Sequence, residues 1–127
     1  MWVEQKIKDY LAMLMEGDNG KVSVLFCQDA EVHSPLYGKI KAQNFYRKLF
    51  RDTLNSTIML KGVFRNMHDP SQAAALFHYE WTLINDKTVS FDCVDIFNFD
   101  ERSKKIKTLM IVYDTQYVRS GWQTIQA

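Results

Sequence analysis

The sequence predicts an α+β domain in which N-terminal helices are packed in a strongly curved, mainly antiparallel sheet, the whole forming a cone. Three observations predict it. Two segments, 2–15 and 41–55, place apolar residues at helical spacing. Four long segments of period two follow, between residues 57 and 118. No repeat, low-complexity tract or linker interrupts this order, so residues 1–127 read as a single domain of ordinary size.

The first helix rests on Val3, Ile7, Tyr10, Leu11 and Leu14, and Gly17-Asp18-Asn19-Gly20 ends it in a turn-rich cluster. A short second helix is expected to hold Val22, Val24, Leu25 and Phe26. Ala30 to Ser34 reads as a short strand. Pro35 closes it, because a residue before proline is pushed toward extended geometry. From Lys41 to Asn55, Ala42, Phe45, Tyr46, Leu49, Phe50 and Thr53 make one stripe, while Lys48, Arg51 and Asp52 lie off it.

Four strands are then expected at 57–67, 73–84, 88–99 and 106–118. Asp69-Pro70-Ser71, Asn85-Asp86 and the polar run 100–105 break them. Strands of about ten residues are long for a chain of this size. Such a sheet should curl around the helices and leave a pocket at the open end of the cone.

One residue breaks the pattern. On the third long strand Phe91, Cys93, Asp95, Phe97 and Phe99 share a face, so Asp95 is a carboxylate inside an apolar row. Burying it ionised and unpaired costs several kcal/mol, so it either pairs or keeps its proton. A structural reading is also open, in which this face meets a second subunit and Asp95 bonds a nearby hydroxyl or basic group. Tyr10 and Tyr46 lie on the apolar stripes of the two long helices, and their buried hydroxyls also need partners. The three groups could form one small polar cluster in the interior, although a buried tyrosine by itself is usually core.

Composition narrows the function classes. The chain is 46% hydrophobic and 24% charged with a net charge of +1, ordinary for a globular protein. Its densest basic cluster, Arg102-Ser103-Lys104-Lys105, is explained by a turn, so no nucleic-acid partner is expected. No apolar stretch approaches the roughly 20 residues of a membrane span, so no membrane partner is expected either. The charged start lacks a signal peptide's apolar run, and Cys27 and Cys93 are too few for a disulfide framework, so a cytoplasmic location is expected. His33, His68 and His78 show no metal-ligand spacing with the two cysteines. No Gly-x-Ser-x-Gly elbow surrounds Ser34, and the five glycines form no phosphate cradle. Neither a metal nor a cofactor is expected.

Several loose pieces in a specific order carry a family resemblance. They are Tyr10 through Gly17-Asp18, then 29–35 (Asp-Ala-Glu-Val-His-Ser-Pro), Phe45-Tyr46-Arg47, the strand 91–100, and Lys105-Ile106-Lys107-Thr108. Together, from about Tyr10 to Tyr113, they resemble the bacterial ketosteroid isomerases and the SnoaL-like polyketide cyclases of the nuclear transport factor 2-like (NTF2-like) superfamily. The resemblance implies a cone-shaped fold holding a small apolar or aromatic ligand. It implies an oxyanion hole made by Tyr10 and a protonated Asp95, with Tyr46 in support and Tyr113 as an aromatic pocket residue. Val32, Phe26, Phe91, Cys93 and Phe97 are placed around the ligand.

One position departs from that family. Its general base is an aspartate immediately before the proline of the first strand, and here that residue is Ser34. A positioned base contributes about 10²–10⁴-fold in rate, so authentic ketosteroid isomerase activity is not expected. The resemblance would point His78 and Glu80 into the pocket as substitutes, whereas alternation would turn Phe77, Tyr79, Trp81 and Leu83 inward instead. Asp114 is a third candidate, and His33 should face away from Ser34. The loop after Pro35 is also shorter than in the isomerases.

Three kinds of function follow. One is an isomerase-, cyclase- or lyase-like enzyme that stabilises an enolate-like oxyanion. Another is a non-catalytic module binding an apolar ligand, and the third is a protein-interaction module. A homodimer through the outer sheet face is expected in each.

Overall fold

The computed structural model describes residues 2–116 and 118–126. Helix α1 (Trp2–Glu16) buries Val3, Ile7, Tyr10, Leu11 and Leu14, the stripe that its spacing predicts. Gly17 ends it at φ +72°, a conformation that other residues adopt only at a cost. The short α2 (Asn19–Ser23) is capped by Asp18, whose carboxylate accepts from the amides of Gly20 and Lys21. It stops before Leu25, and Phe26 already belongs to the first strand, β1 (Phe26–Ser34).

After β1 the chain turns at once into a strand that the sequence did not announce, β2 (Gly38–Lys41). Ser34 makes that turn, its Oγ accepting from the amides of Leu36 and Tyr37 at 3.2 and 3.1 Å. The second long helix, α3 (Ala42–Arg51), is shorter than expected, and β3 (Thr53–Arg65) starts almost immediately. Thr53 is the switch: its hydroxyl donates back to the Leu49 carbonyl and accepts from the Trp81 indole at 2.7 Å. β4 (Gln72–Leu83) and β5 (Thr88–Asp100) lie close to their expected bounds, and β6 (Lys105–Val112) ends early. A final helix, α4 (Arg119–Gln126), occupies a stretch for which no element was expected.

The six strands form one sheet in the order β2-β1-β6-β5-β4-β3, antiparallel throughout except for the β1–β6 pair. Register shifts between Leu60 and Gly62 and between Asn98 and Phe99 bend the long strands, as bulges do, and the sheet wraps the helices without closing.

The two faces of the sheet differ sharply. Along the inner face of β4 the side chains grow in the order Ala73, Ala75, Phe77, Tyr79, Trp81, and all five are buried. Alternation therefore decides which set turns inward. The aromatic set faces the helices, while His78 and Glu80 lie on the outer face. The row of Phe91, Cys93, Asp95, Phe97 and Phe99 is also internal, packed under the helices. On the outer face His78 Nδ1 meets Asp92 at 3.0 Å, and Lys61 Nζ meets the same carboxylate at 3.1 Å. Beside this polar group stand the exposed apolar side chains of Met59, Phe64, Met110 and Val112. No described helix is long and apolar enough to cross a membrane.

Candidate functional site

The widening inner face leaves a cavity between the sheet and the helices, about 450 Å³ with its open mouth included. Eight of its fourteen lining residues are aromatic: Tyr10, Tyr37, Phe45, Phe77, Tyr79, Trp81, Phe91 and Tyr113. Leu14, Leu49 and Ile111 add aliphatic surface, and Ser34, Cys93 and Asp95 complete the wall. Among the described residues Asp95 is its one carboxylate.

Strand pairing sets Asp95 between Ala75 and Ile111. Ala75 contributes only a methyl group, so the carboxyl group keeps open space beside it. Asp95 is 2% exposed, and among the described residues it makes one hydrogen bond, accepted from the Cys93 thiol at 3.4 Å. No described cation pairs with it. Burial therefore raises its pKa to about 7, with the Cys93 contact opposing weakly. The same burial, with Asp95 alongside, pushes the Cys93 thiol up, so it stays a thiol and not a nucleophilic thiolate.

Tyr10 reaches the cavity from α1, and its hydroxyl lies 2.6 Å from that of Tyr46 on α3. Burial lifts both phenols well above their usual range, and the Asp95 charge adds to it. The rings of Tyr10, Phe26, Tyr46 and Phe97 pack edge-on or tilted, with centroids 5.4–6.1 Å apart. The expected three-group cluster is thus only half closed. Tyr10 bonds Tyr46, and neither bonds Asp95.

The other sequence candidates divide cleanly. Ser34, Phe91, Cys93 and Tyr113 line the cavity with Tyr10 and Asp95. Tyr46, Phe26, Phe97 and Val32 lie behind that wall as core, with Tyr46 reaching the site through Tyr10. His78 and Glu80 do not reach the cavity, because strand alternation puts them on the opposite face. Asp114 is exposed and accepts the Gln116 amide in its own turn. His33 faces the outer side, near Asn98, Thr108 and Met110.

Tyr37, Phe45, Phe77, Tyr79 and Trp81 were not anticipated as site residues. All but Tyr37 carried a signal, since each stands on a predicted apolar face. Tyr37 carried none, yet it ties several elements together. Its hydroxyl donates to Asp52 at 2.6 Å, and its ring meets Phe45 and Trp122 edge-on. Burial works against the charge on Asp52, but hydrogen bonds from Arg51, Tyr37 and Gln126 outweigh it and hold the pKa below the usual value. That ionised carboxylate ties α3, the β1–β2 turn and α4 together at the cavity rim. Burial and the bond to Asp52 in turn push the Tyr37 phenol up.

No protein-family model matches the chain, and no curated protein matches it in sequence. Solved structures do. A protein described as a SnoaL-like polyketide cyclase, from Shewanella denitrificans, superposes with a TM-score of 0.77 at 15% identity, covering 96% of this chain and 97% of its own. An NTF2-like protein from Burkholderia pseudomallei gives 0.78 at 14% identity over 100% and 99%. A protein with a ketosteroid isomerase-like fold from Catenulispora acidiphila, in complex with trimethylamine, gives 0.77 at 9% identity over 91% and 89%. At these identities the likeness is one of fold, and the chain accordingly has the NTF2-like cone fold.

Proposed function

We propose that this protein encloses a small, largely apolar or aromatic ligand in its aromatic cavity and presents Tyr10 and Asp95 to a single oxygen on that ligand, stabilising an enolate-like oxyanion. The observation that carries this reading is Asp95 itself, a carboxyl group in an aromatic wall, without a cation, whose proton persists to about pH 7. A neutral carboxylic acid donates a strong hydrogen bond, and in a dry cavity such a bond to a developing oxyanion is worth far more than in water. Tyr10 supplies a second donor, and Tyr46 can donate a hydrogen bond to Tyr10 that strengthens as charge builds. That Tyr10 and Asp95 leave each other unbonded favours a shared guest. The fold likeness to a polyketide cyclase and to a ketosteroid isomerase-like protein is in keeping with it.

The reading stops short of steroid isomerisation. Ser34 Oγ is occupied by two backbone amides, and no second described carboxylate lines the cavity to abstract a proton. This observation favours, as a second reading, a module that binds and polarises its ligand without turning it over. In both readings the protein works as one domain and forms a homodimer through the outer sheet face. Covering Met59, Phe64, Met110 and Val112 would remove that exposed apolar surface from water. The unpaired Cys27 and Cys93 suit a reducing, cytoplasmic location.

Titration with phenols of increasing acidity tests the proposal, with the ionisation of the bound phenol read by absorbance. Affinity should climb with acidity and fall by roughly 10²-fold in Asp95→Asn, the scale of losing one oxyanion donor. Wild-type protein that ignores every phenol would refute it.

A further inference from the structure

The mouth of the cavity carries a cation that oxyanion chemistry at Asp95 does not require. Arg119 opens α4, and its Nη2 donates to the Pro35 carbonyl at 3.1 Å, which fixes the guanidinium against the turn after Ser34. Its charge also acts on the Tyr113 phenol: burial raises that group's pKa, and the Arg119 charge partly opposes the rise. Ser34 and Tyr113 both line the cavity. Arg119 is therefore a rim residue, half-buried, with its remaining N–H groups uncommitted among the described residues.

Arg119 makes no ion pair with a described carboxylate. The nearby acids are engaged elsewhere. Asp52 serves Arg51, Tyr37 and Gln126, and Asp114 closes its own turn. Two hydroxyl donors share the rim with the guanidinium. The Ser34 oxygen accepts two amides and keeps its own proton to give, and the Tyr113 hydroxyl bonds no described residue. A fixed guanidinium fork beside two hydroxyls that still have a proton to give is a donor set that a carboxylate accepts well.

The register gives the spacing. Ile111 pairs with Asp95, and Tyr113 follows two residues later, about 7 Å further along the chain. The two ends of the site are thus offset along the strand, and the wall between them is aromatic, so a ring can lie there.

We infer that the ligand carries two oxygen functions, an enol- or phenol-type oxygen seated at Tyr10 and Asp95 and a carboxylate held at the rim by Arg119, Ser34 and Tyr113. The inference rests on the proposed oxyanion reading and names the ligand class for the same cavity: a small aromatic or enolisable carboxylic acid.

Calorimetric binding of 4-hydroxyphenylacetate and its neutral twin, 4-hydroxyphenylacetamide, tests it on the wild-type protein, because the methylene group keeps the two phenols similar in acidity. The acid should bind roughly tenfold tighter, the low end for a hydrogen bond to a charged group. That ratio should collapse in Arg119→Gln and shrink with added salt. Equal affinities in wild type, with both still weakened by Asp95→Asn, would overturn the Arg119 inference and leave the oxyanion reading standing. A preference for the acid that survives Arg119→Gln would overturn the assignment to Arg119. If neither compound binds, both readings fall.

Discussion

Replacing Asp95 with asparagine should make the protein more resistant to rising pH, and the size of the effect can be worked from its surroundings. In the unfolded chain an aspartate has a pKa of about 3.9. In the folded protein burial raises it to about 7. Between those values the native state holds a proton that the unfolded state has released, so stability falls as pH rises through this window and levels off above it. From about pH 5.5 to about pH 7 that is ~1.5 pH units at ~1.36 kcal/mol each, or about 2 kcal/mol lost by wild type. Asparagine does not titrate and loses nothing. Its amide brings N–H donors into a wall that offers few acceptors, which costs about 1–3 kcal/mol at every pH. The informative quantity is therefore the change in the gap between the two proteins. Urea denaturation of both at about pH 5.5 and about pH 8 measures it, since every other titrating group is shared. The gap should shift by about 2 kcal/mol in favour of Asp95→Asn. Parallel curves would refute the claim that Asp95 is buried without a cation, and the oxyanion reading would lose its acid.

Four further changes separate the site from its scaffold. Tyr46→Phe removes the partner of Tyr10 and should cost about 1–2 kcal/mol in thermal or urea unfolding, with weaker phenol binding as well. Ser34→Ala frees two amides of the β1–β2 turn and should destabilise by about 1 kcal/mol. If Ser34 were instead a working base, turnover would drop by orders of magnitude while stability held. His78→Ala should leave phenol affinity unchanged, because His78 pairs with Asp92 on the outer face, and a tenfold loss in the same titration would contradict that placement. Met110→Lys puts a charge on the exposed apolar face and should shift the sedimentation profile toward monomer at micromolar concentration.

The fold was legible because two periodicities carry most of it. The α1 stripe and the β4 and β5 alternations are long and uninterrupted, and burial follows them residue by residue. What escaped is short or held by distant partners. β2 has four residues and no period of its own, and its position follows from the turn that Ser34 makes. The last strand was expected to run to Val118, but the Asp114 side chain draws the chain into a turn just beyond Val112. α4 contains Gly121, Thr124 and Ile125, poor helix formers, and tertiary contacts hold it instead: Trp122 on Tyr37, Gln126 on Asp52, and Gly121 close to Leu83.

The candidate site shows the same division. Asp95 stood out because a carboxylate in an apolar row violates the rule that governs its neighbours, and such violations concentrate at functional positions. Tyr37 and Arg119 violate nothing locally. Each acquires meaning only when the β1–β2 turn and α4 meet, across roughly eighty residues of chain. The conflict over His78 and Glu80 has a physical resolution of the same kind. Turning them inward would have buried a carboxylate and an imidazole while exposing Phe77, Tyr79 and Trp81, a loss of about 1.5–3 kcal/mol for each large apolar side chain left in water. Family geometry could not outweigh that. Among the described residues the cavity wall keeps one acid, Asp95, whose proton the surrounding rings hold up to about pH 7, and it is this retained proton that lets a carboxyl group act as a donor toward an oxygen.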